Sequence, residues 1–205
     1  EAAQLPRTLP DVDYAVINSN YAIPADLNPT KDALAIENSY SAYSNILAVK
    51  AGNETSAKTR ALVAALSSER VKNFITEHYT GAVIGVVENP GDGFDPTLDY
   101  AALAGTTITV AASPEPHAEI LAVAAEILAE KNITLKIREF TDYVQPNTVV
   151  EEGDVDANYF QHLPYLENFN EEKGTHIVSV LAVHVEPMGI YSKKHIKLDN
   201  IKGSE

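Results

Sequence analysis

The feature that most restricts the fold is one unit between residues 107 and 140. Thr107-Ile108-Thr109-Val110-Ala111-Ala112 is an apolar run of strand length, Ser113-Pro114-Glu115-Pro116 turns the chain and opens a helix, and residues 117–131 are an Ala/Leu/Ile-rich helical stretch. Leu135-Lys136-Ile137-Arg138-Glu139-Phe140 reads as the next strand. Strand, helix and strand with connections this short predict a parallel pair joined by a right-handed crossover.

The alternation continues on both sides of this unit. Downstream, Asp156-Ala157-Asn158-Tyr159-Phe160 is a short strand, residues 164–172 a short helix, and residues 177–183 a long buried strand running on toward His184-Val185-Glu186-Pro187. Upstream, Asp13-Tyr14-Ala15-Val16-Ile17-Asn18 and Asn45-Ile46-Leu47-Ala48-Val49-Lys50 read as strands, with a short helix around residues 31–36 capped by Thr30. Residues 55–79 carry Leu62, Val63, Leu66, Val71, Phe74 and Ile75 at helical spacing, which predicts one long helix closed near Gly81. Residues 85–105 are rich in Gly, Pro and Asp without sustained period, as a linker would be. The repeated pattern predicts an α/β sheet with helices on its faces.

Charge and composition narrow the function. With 29 Asp+Glu against 15 Lys+Arg in 205 residues, the formal net charge is −14, and no basic cluster is present, so nucleic acid is an unsuited partner. Zero Cys excludes disulfides, thiolate metal sites and a thiol nucleophile. No run reaches the length of a bilayer-spanning helix, and neither a Gly-x-Ser-x-Gly elbow nor a phosphate-cradling glycine loop occurs.

In open parallel sheets ligands sit outside the carboxyl ends of the strands. The strand-end segments here are Asn18, Thr141-Asp142-Tyr143, Gln161-His162-Leu163-Pro164-Tyr165 and His184-Val185-Glu186. Their tyrosines, imidazoles and amides suit a small zwitterion with an apolar side chain, although each tyrosine taken alone is more simply a half-buried packing residue. His162, His184 and Glu186 are also the right donor types for a metal, but their spacing lacks a ligating helix pair and argues against it. No catalytic set is expected.

Three long segments carry a family resemblance: Val110-Ala111-Ala112-Ser113-Pro114-Glu115-Pro116-His117, Phe140-Thr141-Asp142-Tyr143-Val144-Gln145-Pro146-Asn147, and Asp156-Ala157-Asn158-Tyr159-Phe160-Gln161-His162-Leu163-Pro164-Tyr165-Leu166. With Glu1-Ala2-Ala3-Gln4-Leu5-Pro6-Arg7, Asn28-Pro29-Thr30-Lys31-Asp32 and Tyr191-Ser192-Lys193-Lys194, they resemble the NlpA-type methionine-binding lipoproteins. That family comprises the extracytoplasmic, lipid-anchored substrate-binding components of methionine ABC importers. The resemblance implies a type II periplasmic-binding-protein-like lobe with a mixed, mostly parallel sheet, and a second lobe that is incomplete. The segments stand in a circularly permuted order. Residues 1–40 resemble a remnant of the second lobe, 41–84 the C-terminal part of the first, 85–105 a linker joining the original termini, 106–191 the N-terminal part of the first lobe, and 192–205 the crossover into the second.

Carried over by position, the resemblance implies that Tyr143, Phe160, His162 and Tyr165 line the apolar side of a methionine pocket. Asn18 and Asn45 would hold the amino acid's polar end, with His184 and Glu186 as secondary contacts. Segments 186–194 and 35–45 would cross between the lobes. The family's carboxylate-binding Arg falls in the missing stretch, so this chain alone is expected to bind L-methionine or an analogue weakly, or to need a second chain. The family's membrane permease would be the parent protein's partner, no cofactor is implied, and a chain without Cys is expected to be a soluble derivative. The rival expectation is a permuted single-lobe scaffold with no retained ligand.

Overall fold

The structure, a computed structural model, describes residues 4–37 and 43–198. The ends of several segments quoted above, residues 1–3, 38–42 and 199–205, lie outside them. In chain order the elements are α1 (Leu5–Thr8), β1 (Ala15–Ile17), α2 (Ser19–Ala22), α3 (Pro29–Asp32), β2 (Ala35–Ile36), β3 (Ser44–Lys50), α4 (Ala57–Leu66), α5 (Glu69–Tyr79), β4 (Ile84–Gly85) and α6 (Tyr100–Leu103). They continue with β5 (Thr107–Ala112), α7 (Glu119–Ala129), β6 (Thr134–Glu139), α8 (Gln145–Glu152), β7 (Ala157–His162), α9 (Leu163–Lys173), β8 (Ile177–Val185) and β9 (Gly189–Tyr191).

Two sheets organise the chain. The larger has six strands in the order β4-β8-β3-β7-β5-β6. β5 runs parallel to β6 and β7, as the strand-helix-strand unit requires, while β3 inserts antiparallel between β7 and β8. The smaller has β9 between β1 and β2, all antiparallel.

Helices cover both faces of the large sheet, and the period-2 alternation of its strands decides what faces what. From β3, Leu47 and Val49 join Val110 and Ala112 of β5 in a core shared with α4, α5 and α7. Ile46, Ala48 and Ala111 point to the opposite face, against Val150 of α8 and Leu166 of α9. The small sheet has its own cluster of Leu9, Ala15, Ile17, Ala22 and Tyr191.

Two local expectations are corrected, and one helix is added. The single helix over 55–79 is two, α4 and α5: Ser68 caps α5 by accepting from the Val71 amide (3.2 Å), and Gly91 bonds both Ser67 and Glu69 across the break. The apolar stripe runs through the break because both helices pack on α7. The short helix in the thirties is the single turn 29–32, capped by Asn28 rather than Thr30: the Asn28 side chain accepts from the Thr30 amide at 2.9 Å. β2 follows it immediately. Helix α8 follows the strand-end segment 141–143 in a stretch where no element was expected; Asp142 accepts from the amides of Val144 and Gln145, both at 2.8 Å, and so satisfies donors at its start.

Residues 85–105 are ordered against the large lobe. Phe94, Leu98 and Tyr100 pack on its core, Leu103 is part of it, and Arg60 donates to Asp95 at 2.6 Å.

Candidate functional site

β3 sets the site, because its insertion places Asn45 opposite His162 of β7 on one side and opposite His184 of β8 on the other. Residues far apart in sequence thus form one row at the end of the sheet. Glu186 lies just past β8, and His117 arrives from the turn after β5. The small sheet closes the opposite side with Asn18, Asn20 and Glu37, and Met188 comes from the segment joining the sheets. With Asn45, His117, His162 and Glu186 they bound a cavity of about 250 Å³.

One wall is aromatic. The ring centroids of Tyr143, Phe160 and Tyr165 lie 6.0–6.3 Å apart in tilted and edge-on contacts. Tyr165 donates to the Tyr143 carbonyl at 2.6 Å, and Asn20 Nδ2 donates to the Tyr143 hydroxyl at 2.9 Å, which ties a small-sheet residue to the large lobe. Burial raises the pKa of the Tyr143 phenol, so it stays protonated.

A buried amide network supports that wall. Asn147 donates to Gln161 Oε1 at 2.8 Å, and Gln161 Nε2 donates to Asn147 Oδ1 at 2.7 Å and to Asn158 Oδ1 at 2.9 Å. Asn158 completes it by donating to Asn147 Oδ1 at 2.8 Å and to the Pro146 carbonyl at 3.1 Å. With its members bonded to one another, the network holds the end of β7 against α8.

The other wall is a buried polar cluster. His184 sits between Tyr159, which hydrogen-bonds Nδ1, and Glu186, whose Oε1 accepts from Nε2 at 2.8 Å. His117 Nε2 faces two oxygens, Asn45 Oδ1 at 2.9 Å and Glu186 Oε1 at 3.3 Å, so it carries the proton and donates. Burial depresses the pKa values of both imidazoles to about 3, which makes them neutral donors to Glu186 rather than ion-pair partners. His162 is lowered by burial as well. Burial raises the pKa of Glu186, and the Asn20 amide that donates to it works against that rise. Asn45, turned so that its oxygen meets His117, leaves its buried Nδ2 without a partner.

The structure brings seven of the eight candidate residues, Asn18, Asn45, Tyr143, Phe160, His162, Tyr165 and Glu186, onto this one cavity. His184 is the exception: fully buried, it stands behind Glu186 and positions it. The trio once weighed for metal is also regrouped. His117, not His162, joins His184 and Glu186, with ligating atoms within 4.8 Å of one another, and their imidazole nitrogens there already bond Tyr159, Asn45 and Glu186. Sequence reasoning missed His117, Asn20, Glu37, Gln161 and Met188 as lining residues. Asn20 and Gln161 adjoin residues that were chosen; His117, five residues beyond the end of a strand, closes a family-like segment but carries no local sign of a place in the cavity.

Comparison with known proteins decides the family. The profile of the NlpA lipoprotein family matches residues 1–87 and 108–205. The chain belongs to the NlpA lipoprotein family. Within this family, it is 47% identical over 95 residues to the methionine-binding lipoprotein MetQ of Bacillus subtilis, which is 46% of this chain and 35% of that relative. It is 34% identical over 130 residues to the D-methionine-binding lipoprotein MetQ of Salmonella typhimurium, 63% of this chain and 46% of that protein. The matched segments therefore span less than half the length of either relative. The fold of this NlpA chain is that of a phosphate-binding protein of a phosphate ABC transporter from Streptococcus pneumoniae, with a TM-score of 0.56 at 12% identity over 94% of this chain and 71% of that one. No helix among the described residues is long and apolar enough to cross a membrane.

Proposed function

We propose that this chain captures methionine or a close analogue, without catalysis, as the binding element of an ABC importer. The observation that carries the reading is the triangle of Tyr143, Phe160 and Tyr165 facing a polar wall across a cavity of about 250 Å³. A thioether is polarizable and gains about 0.3–1.5 kcal/mol against ring edges, which favours methionine over an isosteric alkyl chain. Asn18 and Asn45 would bond the backbone end of the ligand, and the naming of the MetQ relatives agrees with that class of ligand.

The chain order is part of the proposal. Residues 41–84 and 106–191 form one lobe, 85–105 join what were its ends, and 1–40 with 192–205 belong to a second lobe of which a piece is present. Two observations support it. The family match is interrupted over residues 88–107, and β9 leaves the large sheet to pair with β1 and β2. In this reading the crossing would fall at residues 186–188, within the expected segment 186–194. A partner chain or segment would complete the cleft, and docking on a permease would follow closure around the ligand. Lipid anchoring and an extracytoplasmic location belong to the parent protein in this reading.

Calorimetric titration with L- and D-methionine tests the function. Weak but saturable one-to-one binding is the expected result, and addition of the missing lobe should tighten it. Heat and melting temperature unchanged at millimolar ligand would instead identify a scaffold with no retained binding, since any ligand of the native state raises its stability.

A further inference from the structure

A single helical turn of the small sheet's side touches both walls of the cavity. α2 follows β1 across Asn18, and three consecutive residues from it reach the segments of the large lobe. Ser19 Oγ donates to the Pro187 carbonyl at 2.8 Å, the Asn20 amide donates to Glu186, and Asn20 Nδ2 donates to the Tyr143 hydroxyl at 2.9 Å. The Tyr21 ring lies 5.8 Å from the Tyr143 ring, centroid to centroid. Asn20 therefore meets the polar wall with its backbone and the aromatic wall with its side chain.

Tyr143 in turn is held from two directions. It lies between β6 and α8, in no helix or strand, so no backbone ladder fixes its ring. From the large lobe, Tyr165 donates to its carbonyl at 2.6 Å, and Phe160 and Tyr165 pack against its ring. From the small sheet's side, Asn20 fixes the hydroxyl. The small sheet has only a five-residue core of its own, so its position against the lobe depends on a few directional contacts such as this one.

We propose that Asn20 is a positioning residue for ligand capture: through the Tyr143 hydroxyl it locks the aromatic wall to the small sheet, which couples packing of an apolar side chain on that wall to seating of the small sheet on the lobe. Such coupling is reciprocal: a ligand that orders Tyr143 steadies the small sheet, and a seated small sheet tightens the ligand. The inference rests on the methionine reading for the identity of the side chain; the clasp itself stands on the contacts of Asn20, Tyr143 and Tyr165. Asn20→Ala keeps the backbone amide that meets Glu186 and removes only the link to Tyr143, while Tyr143→Phe keeps the ring and removes only the hydroxyl.

The test is a double-mutant cycle on Asn20→Ala, Tyr143→Phe and their combination, followed by amide hydrogen exchange of the free chain and by calorimetric titration with L-methionine and L-norleucine. Each single variant is expected to speed exchange at residues 15–17 and 189–191 and leave the core of α4, α5 and α7 unchanged, and the double variant to be no faster than the singles, because all three break one bond. Both ligands should weaken by the same factor, about two- to ten-fold, in every variant, with the preference for methionine over norleucine intact. Saturating methionine should slow exchange at residues 15–17 and 189–191 in the native chain and do so less in the variants. Unchanged exchange in Asn20→Ala, or single effects that add in the double variant, overturn the clasp. An Asn20→Ala loss of methionine affinity that persists in full on the Tyr143→Phe background assigns Asn20 a direct ligand contact and overturns its positioning role. No methionine binding by the native chain overturns the methionine reading, and the exchange cycle of the free chain still decides the clasp.

Discussion

β3 of the large sheet buries Leu47 and Val49 on one face and Ile46 and Ala48 on the other, whereas β1 of the small sheet buries Ala15 and Ile17 on one face and leaves Val16 53% exposed on the other. Both are apolar strands in sequence, and what differs is the number of layers packed on them. The large lobe has helices on both sides and a core extending from α4, α5 and α7 through the strands. The small sheet has a five-residue cluster on one side only. A three-residue strand with one covered face contributes too little buried area to be stable alone, so the small sheet depends on its attachments to the lobe. Those attachments run partly through residues that line the cavity: Asn20 to Tyr143, Ser19 Oγ to the Pro187 carbonyl at 2.8 Å, and Asn20 to Glu186. The lobe carries the stability, and the small sheet completes the cavity.

The sharpest way to break that comparison is a pair of core truncations. Leu121→Ala, fully buried in α7, should cost about 2–5 kcal/mol in urea denaturation and lower amide protection everywhere. Ile17→Ala removes as large a side chain, but its loss should appear as faster exchange confined to residues 15–17 and 189–191. Equal loss of protection in the large sheet would show that the two sheets unfold as one unit.

Acid should come next in size, and it should act on the lobe. His117 and His184 have folded pKa values of about 3 against an ordinary 6.5, so the unfolded chain binds protons that the folded chain refuses. Their stabilisation is present above about pH 6.5 and is lost as pH falls toward 3, by up to about 1.4 kcal/mol per pH unit for each histidine. Glu186 acts with the opposite sign: its raised pKa favours folding at low pH, and that contribution is lost as pH rises through the raised value. It softens the acid end of the window without reversing it, since two histidines oppose one carboxyl. Urea midpoints at pH 7 and pH 5 check this, and identical midpoints would mean the imidazoles are not held neutral.

The smallest effect is expected at Val16→Thr, on the uncovered face of the small sheet, where stability should change by no more than about 0.5 kcal/mol. A larger loss would reveal that this face is covered in solution.

Much of the lobe is legible in the residues. The Thr107–Ala112 strand and its parallel partner follow from apolar runs and a crossover of ordinary length, and β3 and β8 announce themselves as continuous apolar strands. The break between α4 and α5 is not legible, because the apolar stripe continues through Ser67-Ser68 and the interruption is made by Gly91, more than twenty residues away. The aromatic side of the cavity could be chosen because Tyr143, Phe160 and Tyr165 stand at strand ends within about twenty residues of one another. His117 could not, since its partners are Asn45 and Glu186.

Sequence alone therefore determined the α/β class, the strand-helix-strand unit, the family and the aromatic residues, all of which rest on local periodicity or contiguous motifs. Tertiary structure alone decided which polar groups meet at the cavity and in which direction their protonation shifts. β3 inserts antiparallel between β7 and β8 and brings Asn45 between His162 and His184, and burial of that row lowers the pKa values of the imidazoles while it raises that of Glu186. Protonation depends on desolvation and neighbours, and neither exists until the chain has folded.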